Sequence, residues 1–237
     1  MPAAAYAARM SHPTDRPPPE VPTRPGWVPR RPVPGARPAW AVPVALLATA
    51  AVYAAAFRLR LVPLWPALAA LAALSWWAAW HPFLPARLRP SWRLAAMGAA
   101  AGLGLYALSC GGAVLIRRTP LWAGAQDVRD LAGSVPSALA VLLVVAVTSP
   151  AEEVLWRGAV FARDTRRLGP GWRPVAATTG LYAAVVACSG QPVLPLAALA
   201  CGAVWARQRQ VTGSLVAGVV SHAVWASLLL LYLPGNQ

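Results

Sequence analysis

Two stretches of this chain carry side chains that could do chemistry amid residues that could not. One is SPAEEVLWRGAVF, residues 149–161, with Glu152, Glu153 and Arg157. The other is GSLVAGVVSHAVWASLLLL, residues 213–231, with His222 alone among apolar neighbours. Adjacent carboxylates in an apolar run oppose each other's ionisation, so the pair needs a cation or a function. Glu153 and Arg157 stand at i and i+4 with the acid on the N-terminal side, the spacing that lets them pair along one helix face. Glu152 points about 100° away and lacks that partner, which makes it the better general base. A packing ion pair with a glutamate reaching toward the interface would account for the same residues.

The elements that must hold these groups are apolar spans. The chain has 237 residues, 58% hydrophobic and 12% charged, against about 25% charged in an average soluble domain. Too much apolar surface is present for a soluble globule to cover, and the composition excludes a disordered chain, a coiled coil and a disulfide scaffold. Cys110, Cys188 and Cys201 all lie in apolar runs and serve as packing thiols. A net charge of +14, all 21 basic residues being arginine, does not point to nucleic acid. The arginines sit in the gaps between apolar runs, as topology determinants do. The expected fold is all-α, a polytopic membrane bundle of about seven transmembrane helices.

The pattern predicts spans at 40–57, 61–86, 94–116, 135–163, 174–189, 192–206 and 213–233, with an interfacial helix over 117–134. Each of the first three can cross a ~30 Å hydrocarbon layer at 1.5 Å per residue. Residues 1–39 hold eleven prolines and six arginines and are expected to be a disordered cytosolic tail, without the apolar stretch of a signal peptide. Residues 40–237 form the membrane domain, with the site region at about 135–233. With the N-terminus inside, fifteen arginines fall on the cytosolic side and five outside. Arg157 lies within a span. The expected location is a cell membrane, multi-pass, with lipid as one partner.

An ionisable side chain in a span costs roughly 2.5–3.5 kcal/mol on insertion scales and is a functional hypothesis by default. His12 lies in the tail and His81 in a membrane-edge turn, leaving His222 as the histidine well inside a span. It stands nine residues past Gly213, ~13 Å from the inner face, and Glu152 stands eleven residues before Arg163, ~16 Å from it. Matching depth predicts that both face one cavity in the cytosolic half.

Glu-Glu-Val-Leu-Trp-Arg-Gly, residues 152–158, resembles the EExxxR-G motif of the CPBP intramembrane proteases, the CAAX-protease and bacteriocin-processing enzymes also called Abi. The likeness continues to Leu228: an aromatic in a helix, a small-residue helix, a basic turn before Thr212-Gly213-Ser214-Leu215, then His222. The resemblance implies that Glu152 and a histidine of the second motif activate water. It gives the third-motif histidine and its asparagine or aspartate to the oxyanion or to site geometry, and leaves Glu153 with Arg157 as the structural pair. Carried over, the candidate catalytic residues are Glu152, Glu153, Arg157 and His222.

Two positions depart from the family. Tyr182 fills the aromatic place of the second motif, but Val186 stands where its histidine belongs, and Ala226 replaces the asparagine or aspartate after His222. Neither can transfer a proton or donate a hydrogen bond, and Tyr182 is the same-face polar substitute. No cofactor is expected from the residues; a divalent metal enters by family resemblance alone. The resemblance implies a peptide or prenylated-protein substrate reaching the site from the cytosolic side, so the expected activity is a CAAX-type endopeptidase with weakened or lost turnover. The alternative is a non-catalytic pseudoprotease used for membrane binding or immunity. A transporter with Glu152 in its path is a third class, against which stands the absence of repeated half-helices.

Overall fold

The computed structural model describes residues 38, 40–80, 88, 91–132 and 137–232. The expected tail, apart from Pro38, and the turn with His81, Arg87 and Arg89 lie outside the described residues. Eight helices follow in order among the described residues. They are α1 (Ala41–Arg58), α2 (Leu64–Ala79), α3 (Trp92–Ile116), α4 (Leu121–Ala132), α5 (Ala138–Leu168), α6 (Trp172–Ala187), α7 (Val193–Thr212) and α8 (Val216–Leu231). No strand occurs among the described residues. Helices α1, α3 and α5 are long and apolar enough to cross a membrane, and α2 and α8 are apolar but shorter. Leu103, Leu108 and Leu115 of α3 and Leu139 and Leu143 of α5 stand exposed, apolar surface that only a lipid environment accommodates. The protein is a helical membrane bundle.

Local chemistry sets the helix ends. Ser137 caps α5, its Oγ accepting from the Ala140 amide at 3.2 Å. Within α5 the backbone passes into a π-helical stretch over Val154–Val160, starting four residues after the internal Pro150. Proline removes one rung of the hydrogen-bond ladder, and π turns arise where the ladder is disturbed. The turn to α6 uses Gly169 and Gly171, both at positive φ. Helix α7 runs past the expected stop at 206 to Gly213, whose left-handed φ of 67° closes it. The two arginines in its last turns ended the apolar pattern but not the helix.

Helix α3 packs chiefly on α8, and α6 on α7, while α5 lies between α2 and α8. The α3–α8 approach is set by Gly98 and Gly102, one helical turn apart. A Cβ at Gly98 would lie 2.5 Å from the Ala217 carbonyl oxygen, and one at Gly102 2.7 Å from that of Ser221. Small residues at this spacing let membrane helices meet backbone to backbone.

The connections gather at two ends. At one, Asp127 of α4 meets Arg60 at 3.4 Å and the Gln191 amide at 3.3 Å. At the other, the Thr178 hydroxyl donates to Asp164 at 2.8 Å, and the Gln210 amide donates to the Gly171 carbonyl. A cavity of about 330 Å³ opens there, lined by residues that include Phe161, Thr165, Arg209 and Gly213. Neither Glu152 nor His222 lines it.

Candidate functional site

The acidic pair of α5 is split between two environments. Glu153, with 0% of its surface exposed, is sealed among α5, α7 and α8. Arg157, 1% exposed, donates from Nη1 to Glu153 Oε1 at 2.9 Å. His222 of α8 reaches the same oxygen through Nδ1 at 3.3 Å. The imidazole sought beside Glu152 therefore makes its close carboxylate contact with Glu153.

Aromatic rings hold the cation. The Arg157 guanidinium carbon lies 4.9 Å from the Trp205 ring centre and 5.1 Å from that of Tyr182, within cation–π range of both. Its Nη2 donates to the Gly202 carbonyl at 3.4 Å. Trp205 in turn stacks on His222, centroids 4.1 Å apart and planes 17° apart, and donates from Nε1 to Ser221 Oγ at 3.1 Å. The Arg157 carbonyl, within the π stretch, accepts from Arg209 Nε at 3.2 Å. Close approach depends on glycine again. A Cβ at Gly218 would lie 2.7 Å from Glu153 Oε2, so a side chain there would displace the carboxylate.

Glu152 faces elsewhere and is only half-buried. The Tyr182 hydroxyl of α6 donates to its Oε2 at 3.5 Å, a long contact. The Tyr182 ring packs on Trp156, centroids 4.8 Å apart. Tyr53 of α1 packs against the buried cluster that includes Trp156 and Tyr182. Val186, one turn along α6 from Tyr182, is buried and apolar, and Ala226, one turn along α8 from His222, is half-buried. Of the nearby polar residues, Ser189 accepts from the Gln191 amide at the end of α6, and Cys188 is exposed.

Sequence reasoning missed Tyr53 and Trp205. A tyrosine inside an apolar span was the available signal for the first, because a phenol among apolar side chains needs a partner. Trp205 carried no such mark among 12 tryptophans.

A divalent metal fits this donor set poorly. Among the described residues no three His, Cys, Asp or Glu side chains gather as ligands. Glu153 already neutralises Arg157, and a catalytic zinc usually takes three protein ligands. No step is derived through a metal.

The bundle and its buried Glu153–Arg157 pair define a helical membrane protein with a charged side-chain cluster in its interior. Residues 134–228 match the family described as type II CAAX prenyl endopeptidase Rce1-like, within the CAAX-protease family that the 152–158 motif resembles. The match spans less than half of the chain. No curated protein and no solved structure matches it.

Proposed function

We propose that this chain is a CAAX-type intramembrane endopeptidase of low turnover, in which Glu152 takes a proton from water as that water attacks a peptide carbonyl. The observation that carries this is the division of labour within the acidic pair. Glu153 is sealed and spoken for by Arg157 and His222, whereas Glu152 is half-buried, with the Tyr182 phenol 3.5 Å from its Oε2. A general base must reach its water, and of the two carboxylates the half-buried Glu152 suits that role better than the fully buried Glu153. The substrate is a peptide, prenylated by family resemblance, reaching the site from the cytosolic side.

Low turnover follows from Val186 and Ala226. Losing a general acid–base partner removes about 10²–10⁴ in rate, and losing an oxyanion donor about 10²–10³. The same two residues favour a second function, a non-catalytic membrane binding or immunity protein on the same fold. A quantitative cleavage assay on a fluorogenic farnesylated peptide separates them. Wild type is expected to cleave slowly and Glu152→Gln not at all; equal rates for the two would leave the pseudoprotease.

Orientation belongs to the same proposal. Seven crossings, with α4 at the interface, put the N-terminus in the cytosol, in line with the fifteen-to-five arginine bias. The clustering of the α1–α2, α3–α5 and α6–α7 connections around Asp127 supports one shared outer end. Reporter fusions at the N-terminus are expected to report the cytosolic side; an external reporter signal would reverse the orientation.

A further inference from the structure

We infer that the cavity beside the α5–α6 turn holds the headgroup phosphate of an anionic phospholipid, with Arg209 as its cation. The cavity, about 330 Å³, falls within the about 300–1,000 Å³ of ligand pockets. Phe161, Ala162 and Pro170 give it an apolar wall, and Arg209 and Gln210 a polar one. Arg209 Nη1 stands 3.9 Å from where a Cβ on Gly213, another lining residue, would lie.

Charge around the opening is one-sided. Segments 161–173 and 207–213 carry Arg163, Arg166, Arg167, Arg173, Arg207 and Arg209 against one acid, Asp164, which accepts from the Thr178 hydroxyl. Trp172 and Leu168, on the same turn, are 74% and 42% exposed. An exposed tryptophan among arginines marks the headgroup level of a bilayer. The anion met at that level is lipid phosphate, and acyl chains anchored in the bilayer keep its local concentration far above that of a free anion. A zwitterionic headgroup brings its own cation, which this turn repels; an anionic one does not.

Arg209 also joins this end of the bundle to the interior. Its Nε donates to the Arg157 carbonyl at 3.2 Å, inside the π stretch. A guanidinium has five donors in a planar fork, a shape that serves a carbonyl and a phosphate together. Beside it the Gln210 side chain accepts from Arg207 and donates to the Gly171 carbonyl, tying the turn to α7. A headgroup on Arg209 therefore strengthens the link between the end of α7 and the segment that carries Arg157. A ligand that binds only the folded chain stabilises it, so lipid raises the melting temperature. The site needs no hydrolytic activity, and neither readout below depends on it.

The full chain in dodecyl maltoside micelles is titrated with dioleoylphosphatidylglycerol, with dioleoylphosphatidylcholine and with inorganic phosphate. Bound lipid is counted by native mass spectrometry, and melting is followed by tryptophan fluorescence. Phosphatidylglycerol is expected to stay bound and to raise Tm by about 5 °C at a level about 100-fold above its Kd. The other two are expected to leave Tm unchanged. Arg209→Gln is expected to weaken phosphatidylglycerol binding about tenfold or more, the loss of a hydrogen bond to a charged group. Ala162→Phe fills the cavity, keeps every charge and is expected to weaken binding as much. Arg166→Gln with Arg173→Gln removes two exposed charges from the turn and is expected to weaken it by less than about threefold. Wild-type affinity in Arg209→Gln or in Ala162→Phe overturns the proposal. A loss in the Arg166 and Arg173 double variant as large as in Arg209→Gln also overturns it, by showing diffuse attraction to the surface. Equal retention of phosphatidylcholine overturns the preference for an anionic lipid, and an equal Tm rise with inorganic phosphate replaces the lipid by a free anion. If Arg209→Gln fails to fold, Ala162→Phe decides.

Discussion

Replacing Arg157 with methionine is expected to cost the protein most or all of its folded state. Arg157 and Glu153 are 1% and 0% exposed, so the change strands a carboxylate in an apolar interior with one imidazole for company. Breaking a buried pair by removing one partner costs about 3–5 kcal/mol, a large part of the about 5–15 kcal/mol by which domains are stable. The loss is compounded because Arg157 also fills the gap between the Trp205 and Tyr182 rings. Removing both charges together, as Glu153→Leu with Arg157→Met, should destabilise less than Arg157→Met alone, since no orphan charge remains. Thermal unfolding in micelles, followed by tryptophan fluorescence, reads both. An Arg157→Met protein that melts with wild type would show that Glu153 needs no counter-charge.

Restoring Val186→His and Ala226→Asn together is expected to raise peptide turnover by about 10²-fold or more over wild type. The imidazole would stand one turn beyond Tyr182 on α6, on the helix face whose tyrosine reaches Glu152. The amide would stand one turn beyond His222 on α8. The two positions differ in room. Val186 is 4% exposed, and a larger ring there risks about 1–3 kcal/mol of overpacking, whereas Ala226 is half-buried and can take a longer side chain. Turnover of the folded double variant no higher than that of Glu152→Gln would mean that the site has moved beyond the reach of two substitutions.

The composition and the arginine-punctuated apolar runs made the helical membrane fold legible, because a bilayer leaves a spanning backbone little choice but helix. Helix ends were less so. Arg207 and Arg209 end the apolar pattern at 206, yet Arg209 turns back to the Arg157 carbonyl and the helix continues to Gly213. The i,i+4 spacing of Glu153 and Arg157 was visible because it is a local pattern. What could not be seen is which carboxylate meets His222, since that depends on the rotation of α8 against α5. Equal depth along the membrane normal does not fix rotation about a helix axis. Tyr53 was hidden for the same reason: it lies 99 residues before Glu152 in sequence and joins the cluster around Tyr182 through the packing of α1.

The glycines between α3 and α8 bear on how such a chain can drift over generations. The outward residues of α3, among them Leu103, Leu108 and Leu115, are exposed, and a lineage could exchange them freely for other apolar residues. Gly98 and Gly102 are under a different constraint, because one added methyl at either meets the backbone of α8. Helix α8 carries His222, so that methyl would be felt as a shift of the imidazole against Glu153, a helix away from where the change was made. Heritable variation in this region should therefore be generous on one side of α3 and nearly forbidden on the other, although α3 supplies none of the reacting groups.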